Sequence, residues 1–419
     1  MIKKLLLSSK NISRDSFIWN SISSYLNSFQ TMLLLLVLTR FGNDTDSSFF
    51  VMAFAVGNLV LNIGRYGTRQ FQVTDINEVY SFHDYVTSRK FSMGLFIIAV
   101  IVYLAWGILS NGYTFEKALI VGLICFYKGI EAAEDVLHGR MQQSGRLDVA
   151  TKITSLRFGI FIIGYALVYI FTKNLIVTTA VNVGLTLVLS LLLNGFVIKE
   201  FVPTSSQSSE RHFPKKLLWE CLPIALTTIL GMYLCNAPKY TIDGIVSDNV
   251  QTCFNIVFMP VFVVALLSNF VFNPYLRKLG ELWVQKNIPA FKALVLKLTL
   301  VPLAIDAVVI ALGAFIGIPI LAFVYGVNLT DYFGELMVFL IVSGVISVLN
   351  LYAMVLTTLR KQNHLLYGYI AGAAVMVSIS RSLLQATDVM TLCYFFLAIL
   401  IAVVIYCSYI SFHAIKNSR

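Results

Sequence analysis

The sequence predicts an all-α polytopic membrane protein with twelve transmembrane helices. Three observations predict it. Hydrophobic residues make up 58% of the 419-residue chain and charged residues only 12%, with mean hydropathy +0.80; a soluble chain with that balance has too little polar surface to stay in solution. Apolar runs of about 20 residues or more, enough to cross a bilayer, recur along the whole chain. Lys and Arg gather in alternate connections between those runs, as the positive-inside rule requires of spanning segments.

The first six spans fall near residues 14–40, 48–72, 84–110, 115–142, 147–171 and 174–200. The second six fall near 214–237, 246–274, 288–314, 330–359, 362–385 and 388–415. Between the two sets lies the longest polar connection, "KEFVPTSSQSSERHFPKK" (Lys199 to Lys216), whose Ser and Pro content reads as an interdomain linker. Residues 1–203 then form an N-terminal lobe and residues 204–419 a C-terminal lobe. Six spans per half make the first and seventh run in the same direction, the pattern of a parallel repeat about an axis normal to the membrane.

Orientation follows from the basic residues. Lys3, Lys4, Lys10 and Arg14 precede the first span, Arg69, Arg89 and Lys90 flank the second connection, and Arg140, Arg146, Lys152 and Arg157 the fourth. Lys199, Arg211, Lys215 and Lys216 fill the sixth; Arg277, Lys278, Lys286, Lys292 and Lys297 surround the eighth. Arg360 and Lys361 mark the tenth, and Lys416 and Arg419 the end, against only Arg40, Lys117, Lys173 and Lys239 on the opposite side. Both termini are therefore expected in the cytoplasm. Because the net charge of +10 is dispersed through these loops, it does not form a nucleic-acid-reading patch, and no nucleic-acid partner is expected. The six cysteines lie inside apolar runs without CxxC spacing, which argues against a metal site or a disulfide framework. The opening "MIKKLLLSSKNISR" has a basic lead but too short an apolar stretch to read as a signal peptide.

Several spans carry polar stripes. Asn20, Ser24, Asn27 and Thr31 share a face of the first, and Asn58, Asn62, Arg65, Arg69 and Gln72 a face of the second. In the fourth, "FYKGIEAAEDVLHGRMQQ" places Lys128, Glu131, Asp135, Gly139 and Gln142 on one face, with Glu134 off it. The tenth offers Ser343, Ser347, Asn350 and Thr357, and the eleventh Ser378, Arg381, Ser382 and Gln385. A charge at mid-bilayer costs about 2.5–3.5 kcal/mol even on lenient scales, so such stripes face one another or water. Single Asn and Ser residues also serve as glue between helices, and Arg69 is expected to snorkel to the inner interface. For Lys128, Glu131 and Asp135 two readings stay open, a self-neutralising ion-pair network and a substrate-facing set. Three striped helices in one half favour a hydrated cavity. Its cations suit an anionic amphiphile, since Arg matches phosphate oxygens with a planar fork of donors and Asn or Gln amides bond sugar hydroxyls.

The segments "NSISSYLNSFQTMLLLLVLTRFG", "GRYGTRQFQVTDINEVYSFHDYVTSRK", "KGIEAAEDVLHGRMQQSGRLDVATK", "NAPKYTIDGIVSDNVQTCFNIVFMPVFVV" and "PILAFVYGVNLTDY" with "LTTLRKQ" resemble, in order, bacterial polysaccharide-repeat flippases of the multidrug/oligosaccharidyl-lipid/polysaccharide exporter (MOP) superfamily. The resemblance covers essentially the whole chain. It implies two six-helix lobes around a central cavity, alternating access across the bacterial cytoplasmic membrane, and an undecaprenyl-diphosphate-linked oligosaccharide as cargo for O-antigen, capsule or a related glycan. It also implies cationic cavity residues, placed here at Arg65 and Lys128, with Lys239 and Arg381 as further candidates in the second lobe. Asn20, Asn27, Asn58, Asn62, Glu131 and Asp135 are expected to line the cavity. Asp135 and Asp306 are candidates for a coupling ion, H+ or Na+, and for Asp306 a structural hydrogen bond is the competing expectation. No other cofactor, no catalytic residue and no metal ligand is expected. Expected partners are the lipid-linked oligosaccharide, membrane lipid, and the glycan polymerase and chain-length machinery.

Two rivals share these features. A membrane-embedded glycan polymerase or glycosyltransferase needs catalytic groups on a substantial outer loop, whereas the outer loops here are short or lack paired carboxylates. A drug exporter of the same superfamily would be revealed if charge reversal at Arg65 or Lys128 spared glycan assembly while altering resistance to cationic drugs.

Overall fold

The computed structural model describes residues 2–75, 79–202, 214–272, 275–359 and 361–417. The linker residues 203–213, with the expected lobe boundary at 203/204, lie outside them, as do Arg211, Arg360 and Arg419.

Among the described residues the chain is helical throughout, with no strand. The long helices are α2 (Ile12–Phe41), α3 (Asp44–Arg65), α5 (Phe82–Ser110), α6 (Phe115–Gln143), α7 (Leu147–Thr172), α8 (Leu175–Val197), α9 (Lys215–Ile242), α10 (Asp248–Phe272), α12 (Ile288–Leu312), α14 (Phe333–Thr358), α15 (Gln362–Ala386) and α16 (Val389–Asn417). Short helices α1 (Ile2–Leu7), α4 (Thr68–Thr74), α11 (Leu276–Val284) and α13 (Ile318–Tyr325) accompany them. Among the described residues ten helices are long and apolar enough to cross a membrane, and the chain is a multi-pass membrane protein. α6 is not among the ten, because its 29 residues include Glu116, Lys117, Lys128, Glu131, Glu134, Asp135 and Arg140.

Local chemistry sets the helix ends. Side chains of Asn11, Asn43, Thr114, Asn174 and Asn287 accept from the backbone N–H three residues on, which satisfies donors that have no intrahelical partner. Ser81 and Asp84 form a reciprocal capping box. The expected second span, 48–72, is broken: Tyr66 (φ 50) and Gly67 (φ 64) are left-handed and separate α3 from α4. A Cβ on Gly67 would press on Ile224, so close packing and positive φ both favour glycine there. The face drawn through Asn58, Asn62, Arg65, Arg69 and Gln72 is therefore not one continuous helical stripe. The expected ninth span, 288–314, runs on through a π-helical turn, Gly313–Gly317, into α13.

The chain divides into two compact units, Met1–Ile229 and Leu230–Arg419, within α9. In the first unit α6 is central, packed by α3, α4, α5, α7 and α8. α5 presents exposed Ile97, Ile98, Ile101 and Val102 to lipid. The early part of α9 (Leu217, Leu218, Cys221 and Ala225) joins a core with Tyr66, Tyr85 and Val136. In the second unit α14 is central, packed by α10, α12, α15 and α16. Each central helix is the fourth long helix of its half. The two differ in chemistry: α6 buries charges, whereas α14 buries Leu, Val, Phe and Ile with Ser343 and Ser347.

Candidate functional site

Charged residues of α6 organise the first unit. Glu131 accepts from Arg65 Nη2 at 2.8 Å and from Lys128 Nζ at 3.1 Å. Asp135 accepts from Arg89 Nη2 at 2.9 Å and from Arg69 Nη1 at 3.2 Å. Glu134, on the other flank, lies 2.8 Å from Arg157 Nε of α7 and accepts from Ser190 Oγ (2.6 Å) and Asn194 Nδ2 (3.2 Å) of α8. Arg89 also donates to the carbonyl of Gly64, at the end of α3. Five cations thus meet three carboxylates, and the network keeps a surplus of two formal positive charges. Burying so many ions is tolerable only because each carboxylate is paired and hydrogen-bonded.

Beside this network lies a cavity of about 170 Å³. Asn20 and Asn27 of α2, Arg65 and Arg69, and Glu131 and Asp135 line it, together with His138 and Arg157. The α2 positions are exposed, and the Arg65 and Arg69 side chains are 36% and 29% exposed, so the cavity is open to water. Two deeply buried nitrogens, Arg157 Nη1 and His138 Nε2, have no hydrogen-bond partner among the described residues. Buried polar atoms in proteins are nearly always paired, and of the two only the Arg157 guanidinium nitrogen is a donor in every protonation state.

The structure brings Asn20, Asn27, Arg65, Glu131 and Asp135 together at the cavity, and leaves others apart. Lys128 is 2% exposed, absent from the cavity wall, and held by Glu131 with Phe54 and Tyr127 rings 5.5 and 5.2 Å away. Its ammonium faces Glu131 rather than the cavity. Asn62 donates to the Asn58 carbonyl one turn back, and neither lines the cavity. Arg69 does not snorkel: it pairs with Asp135 and donates to Gln142 Oε1 at 2.9 Å. In the second unit, Lys239 of α9 is buried with Nζ over Phe258 (4.7 Å) and Phe262 (5.0 Å), and Arg381 of α15 is half-buried. Asp306 of α12 accepts from Ser343 Oγ at 2.6 Å and lies against Gly344, where a Cβ would overlap its carboxylate.

Arg89, Arg157, Glu134 and His138 escaped the sequence reading of the site. The sequence pattern places Arg89 and Arg157 among the loop-flanking charges. Their signal was depth, since each lies two turns or more inside its helix.

No protein-family model matches the chain. A curated relative, the capsular polysaccharide biosynthesis protein CapF of Staphylococcus aureus, is 22% identical over 325 residues, covering 74% of this chain and 77% of the relative. Among solved structures, an inward-facing multidrug resistance MATE family transporter of the MOP superfamily superposes with TM-score 0.68 at 14% identity, covering 96% of this chain and 100% of that one. The fold is that of MOP-superfamily transporters, twelve helices in two lobes. An outward-facing MATE transporter gives TM-score 0.61 at 14% identity, over 99% of this chain and 98% of that one. A MOP transporter from Pyrococcus furiosus, described as having a binding pocket of reverse polarity, gives 0.56 at 16% identity, over 99% and 97%.

Proposed function

We propose that this chain is a flippase that moves an undecaprenyl-diphosphate-linked oligosaccharide across the bacterial cytoplasmic membrane by alternating access, for cell-surface polysaccharide synthesis, with both termini cytoplasmic. The observation that carries this reading is the positive surplus beside a wet, amide-lined cavity. The MOP fold and the capsule-synthesis relative support it.

The residues divide the work. Arg65 is the partly exposed cation whose fork reaches a diphosphate. When it turns to the guest, Lys128 keeps Glu131 neutralised, so no carboxylate is stranded. Arg157 Nη1 offers a further donor, and Asn20 and Asn27 offer amides to sugar hydroxyls. Glu131 and Asp135 hold the affinity down, which release on the far side requires. Lys239 and Arg381 are candidates for a second phosphate contact. Of the coupling-ion candidates, Asp306 meets a hydroxyl where Asp135 meets two guanidinium groups, which makes Asp306 the better site for H+ exchange. Glycan polymerase and chain-length proteins are the expected partners.

A cation-exporting reading fits poorly, because the surplus repels a positively charged drug. The test is reconstitution in proteoliposomes with a lipid-linked diphosphate oligosaccharide, scored by its accessibility to an external glycosidase. Wild-type protein should expose the glycan and Arg65→Ala should not. Equal exposure by both, or none by wild type alongside export of cationic dyes, overturns the proposal.

A further inference from the structure

The second unit holds another cavity, of about 550 Å³, at the end where α14 and α16 finish and α15 begins. It is lined by Trp283 of α11, Leu359 and Lys361 of the α14–α15 turn, His364, and the Tyr409–His413 end of α16. Its size is that of small-molecule sites, roughly 300–1,000 Å³.

One wall is apolar. Trp283 is held by Phe291, ring centroids 5.5 Å apart, and Leu359 is buried. The rim is basic and aromatic: Lys361 is exposed, the His364 ring lies 3.4 Å from the Tyr406 hydroxyl, and Tyr409 stacks on His413 at 6.1 Å. None of the residues lining the cavity is acidic. Lys278 and Lys286 of the α11 segment and Lys416 of α16 are exposed on the elements that form it and outnumber the exposed Glu281 of α11. The α15 N-terminus has no side-chain cap and adds backbone donors beside Lys361.

A Trp and a Tyr at a helix end are the amphipathic anchors of a membrane–water interface. Basic grooves between transmembrane helices at that level take anionic lipid headgroups. We infer that this groove binds the phosphate headgroup of an anionic phospholipid, with Lys361, His364 and His413 around the phosphate and Trp283, Leu359 and Ile410 along the first acyl carbons. The site is separate from the cavity beside α6 and does not depend on the cargo proposed above. Lipid on this face ties the α11 segment to the helix ends of the unit.

Native mass spectrometry of the full-length protein, released from mixed detergent micelles, tests it with phosphatidylglycerol and phosphatidylcholine. Phosphatidylglycerol should be retained several-fold over phosphatidylcholine. The Lys361→Ala/His413→Gln double variant should fall to the phosphatidylcholine level, and Lys361→Arg should hold the lipid. Both substituted side chains are exposed, and the thermal midpoint without added lipid checks that the variants are folded. Equal retention of the two lipids, or unchanged retention in the folded double variant, overturns the inference. Displacement of phosphatidylglycerol by millimolar inorganic phosphate also overturns it, since the groove would then be a site for a free anion.

Discussion

Glu131 holds two cations in different surroundings, Arg65 partly exposed and Lys128 sealed, and under the proposed function the difference separates structure from transport. Removing Lys128 leaves a buried carboxylate with one partner, a change that costs about 3–5 kcal/mol. Lys128→Ala is therefore expected to lower the thermal midpoint and folded yield, read by size-exclusion chromatography. Arg65→Ala is expected to keep both and to cut flipping at least tenfold in proteoliposomes. Outside the spans, Asp75 is partly buried, which by itself raises a carboxylate. Donors from the Val79 and Tyr80 N–H groups (2.9 and 3.0 Å) and the Tyr85 hydroxyl (2.8 Å) outweigh that and hold it below the ordinary 3.8. Its contribution is full above the unfolded value and is lost as pH falls through the folded one. The stability difference between wild type and Asp75→Asn should accordingly be constant above about pH 5 and shrink below about pH 4, as measured by thermal unfolding across that range.

At the level of elements, α6 works because its neighbours come close. A Cβ on Gly64 would lie 2.8 Å from that of Ala132 and 3.2 Å from the Phe96 ring, and Gly64 precedes Arg65. Gly64→Leu is expected to push α3 from α6, costing about 1–3 kcal/mol by overpacking, and to weaken flipping through the displaced Arg65. A drop in the thermal midpoint together with transport checks this; normal transport at a lowered midpoint would separate Arg65 from the α3–α6 contact. The break at Tyr66–Gly67 matters for the same reason. It turns the chain so that Arg65 reaches Glu131 and Arg69 reaches Asp135 one helical turn along. Periodicity misses it, because hydrophobic spacing carries no record of a positive φ at Tyr66.

For the whole molecule, the proposed function makes the surplus charge beside the cavity the quantity that selects cargo. Asn20 and Asn27 are exposed on α2, so Asn20→Asp with Asn27→Asp adds two negative charges at low folding cost and cancels the surplus. The double variant is expected to stay folded and to lose at least tenfold in binding of the lipid-linked diphosphate, measured by microscale thermophoresis in detergent. Unchanged binding would show that local donors rather than net charge hold the guest.

The order and type of the helices was legible in the sequence, since hydropathy measures transfer to lipid one residue at a time and needs no knowledge of neighbours. The membrane-embedded charges on α6 were legible for the same reason. Tertiary structure alone decided what those charges do. It showed that Lys128 points into packing while Arg65 opens to water, and that Arg89 and Arg157, read as loop charges, complete the network. It also showed that Glu134 turns to α8. Pairing depends on which helices come within about 3 Å of one another's side chains, and a linear pattern carries depth and face but not the neighbour across the gap.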